Sequence, residues 1–155
     1  IEPAFKDKVV MLVDDSIVRG TTSQQIVQMV REVGAKKIYF ASAAPPVRYP
    51  NVYGIDMPSP SEFVAFDRTE QEIGEEIGVD WMIYQRLEDL KDAVSGDQSF
   101  EEYETSVFDG KYVSGDIDEA YLSAIDAKRN DASKSGDEDV QSGENAAGDL
   151  HDKIH

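Results

Sequence analysis

The run Val13-Asp14-Asp15-Ser16-Ile17-Val18-Arg19-Gly20-Thr21-Thr22-Ser23 concentrates the residue types best suited to chemistry in this chain. The backbone amides of residues 18–22, with the hydroxyls of Thr21, Thr22 and Ser23, can cradle a phosphate, and a helix starting here adds partial positive charge. Gly20 lets the backbone approach closely. Asp14 and Asp15 repel phosphate and suit ribose hydroxyls or a hydrated divalent cation, which prefers oxygen ligands. The combination fits a sugar with a terminal phosphate, bound with Mg²⁺. The loop lacks the lysine and spacing of a P-loop and the three glycines of a dinucleotide fingerprint. Taken singly, an acidic pair or an Arg-Gly-Thr-Thr run is usually a solvated turn; in this order, between strand and helix, function is the better reading. Arg19 fits equally a phosphate contact or an acidic neighbour.

Two elements must hold this loop. Upstream, Val-Val-Met-Leu-Val at 9–13 reads as a strand buried on both faces. Downstream from Thr22, the residues Ile26, Val27, Met29, Val30 and Val33 have helical spacing, and Gly34 ends the pattern. Residues 36–42 (KKIYFAS) give a second strand. This strand-loop-helix-strand unit implies a parallel pair with a right-handed crossover. Ligands in such α/β sheets bind at the carboxyl ends of the strands.

Residues 44–60 carry five of the six prolines and read as a long loop, with Arg48 and Tyr53 its most chemically interesting members. A nucleotide or subunit contact there competes with a structural connection. A short helix is expected over 61–66. Thr69 and Glu72 make a capping box for a helix ending at Ile77 before Gly78. A third strand is expected at 81–84, a helix at 87–94, a hairpin at 106–113 around Asp109-Gly110, and a last helix at 117–128. Trp81, Tyr84 and Phe108 read as packing residues, and Glu72, Glu75 and Glu76 as a solvated helix face.

The chain has 155 residues, 15 basic and 32 acidic, for a net charge of −17. That acidity excludes a basic footprint for nucleic acid or anionic membranes. There is no cysteine, hence no thiolate metal site or cysteine nucleophile. No apolar run is long enough for a membrane span, and a cytoplasmic setting is expected. Residues 129–155 contain few apolar side chains and no aromatics. They are expected to be a disordered acidic tail following a domain at 1–128. His151 and His155 lie in it and read as solvated. The chain starts Ile1-Glu2-Pro3, which suggests a piece of a longer protein.

VVMLVDDSIVRGTTS resembles the phosphoribosyl pyrophosphate (PRPP) motif of type I phosphoribosyltransferases, and more narrowly that of the amidophosphoribosyltransferase family. The likeness continues through GAKKIYFASAAPPVRYPNVYGIDMPS, GVDWMIYQRLEDL and SVFDGKYV, over roughly residues 5–130. It implies a partial type I phosphoribosyltransferase fold: a parallel sheet with flanking helices, followed by a C-terminal helix and the tail. The implied activity is synthesis of 5-phosphoribosylamine from PRPP and glutamine-derived ammonia, the first committed step of purine synthesis. By this likeness Asp14 and Asp15 hold ribose hydroxyls and Mg²⁺, and Ser16, Val18, Arg19, Gly20, Thr21 and Thr22 complete the PRPP contacts. Some type I members carry an acidic base at the position of Val18. Valine there fits ammonia, which already carries its lone pair.

The same likeness implies partners: PRPP, pyrophosphate, ammonia from a glutaminase domain outside this chain, purine nucleotide inhibitors, and further copies in a homo-oligomer. No iron–sulfur cluster is expected, because the stretches around Tyr49–Val52 and Glu104–Val107 offer no thiolate. The segment alone should be inactive, since the glutaminase half and the pyrophosphate loop lie elsewhere. Two other readings compete: a non-catalytic PRPP sensor, and a phosphoribosyltransferase with an unusual acceptor. The PNVYGIDMPS stretch favours the amidotransferase.

Overall fold

A computed structural model describes residues 2–96 and 102–128. Three parallel strands, β1 (Val9–Asp14), β2 (Lys37–Ser42) and β3 (Trp81–Tyr84), form one sheet in that order. Asp14 pairs in register with Ser42, and Ser42 with Tyr84, so the three strands finish together at their carboxyl ends. A short helix α1 (Glu2–Phe5) precedes β1, and α2 (Thr21–Glu32) connects β1 to β2. The expected βαβ unit is therefore present. Its helix stops where expected: Gly34, at φ 89°, adopts the left-handed conformation that releases the chain.

Helix α3 (Glu70–Ile77) follows the proline-rich stretch, which is irregular from residue 43 to 59. Thr69 caps it through the expected box: the Glu72 amide donates to Thr69 Oγ1 (3.3 Å), and the Thr69 amide donates to Glu72 Oε2 (2.7 Å). Those bonds, the Thr69 amide first, hold the Glu72 carboxyl below its usual range. The core packs Ile17, Val27, Val30, Ile38, Phe40, Val64, Ile73, Ile77, Met82 and Tyr84 between these helices and one face of the sheet. Each such side chain contributes about 1.5–3 kcal/mol by leaving water. Asp80 ties three elements at the amino ends of the strands. Its Oδ2 accepts from the Ile38 amide (2.8 Å) and from Arg31 Nη2 (2.9 Å).

Three expectations need correction. Strand β1 is not buried on both faces. Val9, Met11 and Val13 are 56%, 54% and 71% exposed, because both packed helices cover the same side of the sheet. Val10 and Leu12 alone turn toward the core. The short helix over 61–66 shrinks to a 3-10 turn at Pro60–Glu62. Helix growth stops there because the Val64 amide donates to Val18 O (2.8 Å) rather than back along its own chain. The expected hairpin at 106–113 is instead a helical turn, α5 (Ser106–Asp109), which follows α4 (Leu87–Ser95). The amides of Asp109 and Gly110 donate to Thr105 O and Ser106 O, and Gly110 ends the turn at φ 72°. Val107 O then accepts from the Arg48 and Tyr49 amides, so no ladder forms across the turn.

A second unit begins at Asp116, and its described residues are 116–128. Within it a helix, α6, runs over 119–128, opened by Asp118, whose Oδ1 accepts from the Tyr121 amide (2.8 Å). The expected tail at 129–155 lies outside the described residues.

Candidate phosphosugar cleft

The loop after β1 is held from both sides. Ile17 is 3% exposed and anchors it in the core, while Val18 O takes the Val64 amide. Gly20 sits at φ 79°, a left-handed conformation that glycine adopts without strain. A methyl on it would lie 3.0 Å from Val64 Cγ2, so the backbone can sink against Val64 only without a side chain. Helix α2 begins at that glycine with no side-chain cap. The amides of its first turn have no acceptor within the helix by geometry. They are left to solvent or ligand, beside the exposed hydroxyls of Thr21 and Thr22.

This helix start opens onto a cleft of about 540 Å³. One wall is Asp14, Ser16, Ile17 and Val18–Ser23; the other is Ile55–Pro58. Of the expected site residues, the structure brings Asp14, Ser16, Val18, Arg19, Gly20, Thr21 and Thr22 together around this space. Asp15 does not line it. Its Oδ1 accepts from the Ser16 amide (2.6 Å), and Asp14 Oδ1 accepts from the Asp15 amide (3.0 Å), so both carboxylates shape the bend. The Arg19 guanidinium pairs with Glu62 (2.8 Å), the acidic-neighbour alternative for that residue.

Among the described residues no three His, Asp or Glu side chains come together to hold a metal. Two adjacent carboxylates are nevertheless a fair fit to Mg²⁺, which keeps several waters and takes its other oxygens from a ligand's phosphates.

The second wall lies in the 44–60 stretch, where a nucleotide or subunit contact was one of two readings, but none of Ile55–Pro58 was named as a site residue from the sequence. It depends on Asn51, which is 5% exposed. Asn51 Oδ1 accepts from the amides of Tyr53 (2.9 Å) and Ile55 (3.1 Å). Its own amide donates to Met57 Sδ (3.3 Å). Behind it, Tyr112 OH donates to Pro50 O (2.8 Å), and Tyr53 OH bonds Ser114 Oγ (3.1 Å). Burial first, then the Glu104 carboxylate, pushes the Tyr112 phenol up to about 12, which keeps it a proton donor. Arg48 fastens this stretch to the next, its guanidinium donating to Ala65 O (2.6 Å) and Arg68 O (3.0 Å). Those bonds occupy the guanidinium within the fold.

No family model matches the chain. Curated amidophosphoribosyltransferases of Pseudomonas aeruginosa and Escherichia coli are 58% and 56% identical to it over 135 and 131 residues. The chain belongs to the amidophosphoribosyltransferase family. These alignments cover 86% and 84% of this chain but 27% and 26% of the relatives, so it spans about a quarter of their length. The Saccharomyces cerevisiae amidophosphoribosyltransferase is 48% identical over 129 residues. Among solved structures, a glutamine PRPP amidotransferase from B. subtilis, complexed with ADP and GMP, superposes with a TM-score of 0.66 at 35% identity. That match covers 73% of this chain and 25% of the other. The partial parallel sheet with flanking helices is thus the amidophosphoribosyltransferase arrangement. No helix among the described residues is long and apolar enough to cross a membrane.

Proposed function

We propose that this chain is the C-terminal part of an amidophosphoribosyltransferase, and that its cleft binds the ribose 5-phosphate portion of PRPP. The uncapped start of α2 at Gly20, opening on a cleft with Asp14 at its rim, carries this assignment. The 5′-phosphate sits against the amides of residues 18–22 and the hydroxyls of Thr21 and Thr22, where helix dipole and hydrogen bonds act together. Ser16 and the Arg19 backbone complete the cradle. Asp14, at the rim of the cleft, and Asp15, through the Oδ2 that the Ser16 amide leaves open, hold the ribose hydroxyls and Mg²⁺. When bound, the metal neutralises charge on the departing pyrophosphate.

Ammonia then attacks the anomeric carbon, forming the C–N bond as the C–O bond to pyrophosphate breaks. Val18 offers no base at the cleft, and ammonia needs none. Positioning supplies most of the rate, and the nearby carboxylates stabilise positive charge on the sugar. Ammonia is delivered by a glutaminase domain outside this chain, within a cytoplasmic homo-oligomer inhibited by purine nucleotides that compete for the same phosphate cradle.

Calorimetry of PRPP with the full-length protein, with and without Mg²⁺, tests this. Mg²⁺-dependent binding should be lost in the folded Asp14→Asn/Asp15→Asn variant. Unchanged binding in that variant would refute the assignment.

A further inference from the structure

The wall facing the phosphate cradle carries one charged group, Asp56. Its side chain is exposed, and among the described residues it has neither an ion pair nor a hydrogen-bond partner. An unpaired surface aspartate is ordinarily just solvated. Here its backbone is pinned instead. Asn51 Oδ1 grips Ile55, the residue before Asp56, and Met57, the residue after it, takes the Asn51 amide. Ile55, Met57 and Pro58 make the rest of this wall apolar.

We propose that Asp56 is a ligand-contacting residue of the cleft, accepting a hydrogen bond from a donor on the bound phosphosugar or on its nitrogen nucleophile, and that Asn51 positions it. Resting on the phosphosugar assignment of the same cleft, this adds a second recognition element on the opposite wall. Among the described residues Asp56 does not group with Asp14 and Asp15 into a three-carboxylate cluster. A carboxylate there repels phosphate. It therefore orients the ligand, sending the phosphate to the α2 end and presenting an O–H or N–H group to Asp56. A ligand seated between the two walls displaces water from this side of the carboxylate, which strengthens the hydrogen bond.

The test uses the full-length protein with ammonium chloride as nitrogen source, so that glutamine hydrolysis plays no part. Asp56→Asn keeps the shape and removes the charge. It should lower kcat/KM by about tenfold or more, as expected for a charge-assisted hydrogen bond. A loss confined to PRPP affinity identifies a sugar hydroxyl as the donor. A loss in the ammonia dependence with PRPP affinity kept identifies the nitrogen. Asn51→Ala should reproduce the same split, and Asn51→Asp, which keeps an accepting oxygen, should recover most of the activity. PRPP affinity and ammonia kinetics both within about twofold of wild type in Asp56→Asn would overturn the proposal. Unchanged PRPP binding in Asp14→Asn/Asp15→Asn would overturn the cleft assignment itself, and this proposal with it.

Discussion

Replacing Gly20 by alanine puts a methyl group 3.0 Å from Val64 Cγ2, 3.2 Å from Val64 Cβ and 3.4 Å from Ile77 Cγ2. Two costs combine. A left-handed backbone costs an alanine about 1–2 kcal/mol. Crowding a packed core adds about 1–3 kcal/mol, since Val64 and Ile77 are themselves buried and cannot swing away. Stiffening of the unfolded chain returns about 0.4–1 kcal/mol. The expected net loss is about 2–4 kcal/mol. Gly78 provides the control. Its φ is 83°, against 79° for Gly20, but a methyl there meets only Val27 Cγ1, at 3.8 Å. Gly78→Ala therefore carries the backbone cost alone, about 1 kcal/mol. Urea unfolding of both variants, followed by far-ultraviolet circular dichroism, isolates the steric part as their difference. A difference below about 0.5 kcal/mol would refute the close approach of the loop to Val64.

Asp80→Asn should flatten the acid limb of the stability profile. The Ile38 amide first, and Arg31 after it, hold the Asp80 carboxyl below its usual range. Its stabilisation is complete above the unfolded value of about 3.9 and fades as pH falls through the lower folded value. Wild type should lose stability more steeply than Asp80→Asn below about pH 4.5, and parallel profiles would count against the bond. Arg48→Lys leaves one of two carbonyls without its donor, since a single ammonium nitrogen cannot occupy the positions of both Nη1 and Nη2, and should cost about 1–2 kcal/mol in urea unfolding. Phe40, 1% exposed on the central strand, should cost about 3–5 kcal/mol when cut to alanine.

The elements written in short-range pattern were legible. The β1–α2–β2 unit, the Thr69/Glu72 cap and the Gly78 stop each depend on residues within a few positions of one another. So does the loop from Asp14 to Thr22, whose residues are nearly consecutive and, Asp15 apart, line one cleft. The geometry of the second wall was not legible, because Pro50 and Tyr53 are tied to Tyr112 and Ser114, about sixty residues away, and no local spacing announces those partners. The turn at 106–109 was misread for a similar reason. Asp109-Gly110 signals a hairpin, but a methyl on Gly110 would meet the Tyr49 ring at 3.0 Å, and Val107 O is committed to Arg48 and Tyr49. Burial of β1 was misjudged because an apolar run reports only that its side chains prefer to leave water, not that a second layer is there to receive them.

That uncovered side of the sheet also holds the chain's single tryptophan. Trp81 is 49% exposed and meets Tyr39 edge to face, with centroids 5.8 Å apart. With no other indole in the sequence, the fluorescence of the whole chain reports on this one face. Emission should be red-shifted and open to quenching by iodide while the face is wet. Any layer that settles on β1 and β3 will dry the indole, move its emission to the blue and shield it from the quencher. The protein thus carries its own optical gauge of whether that face has been covered.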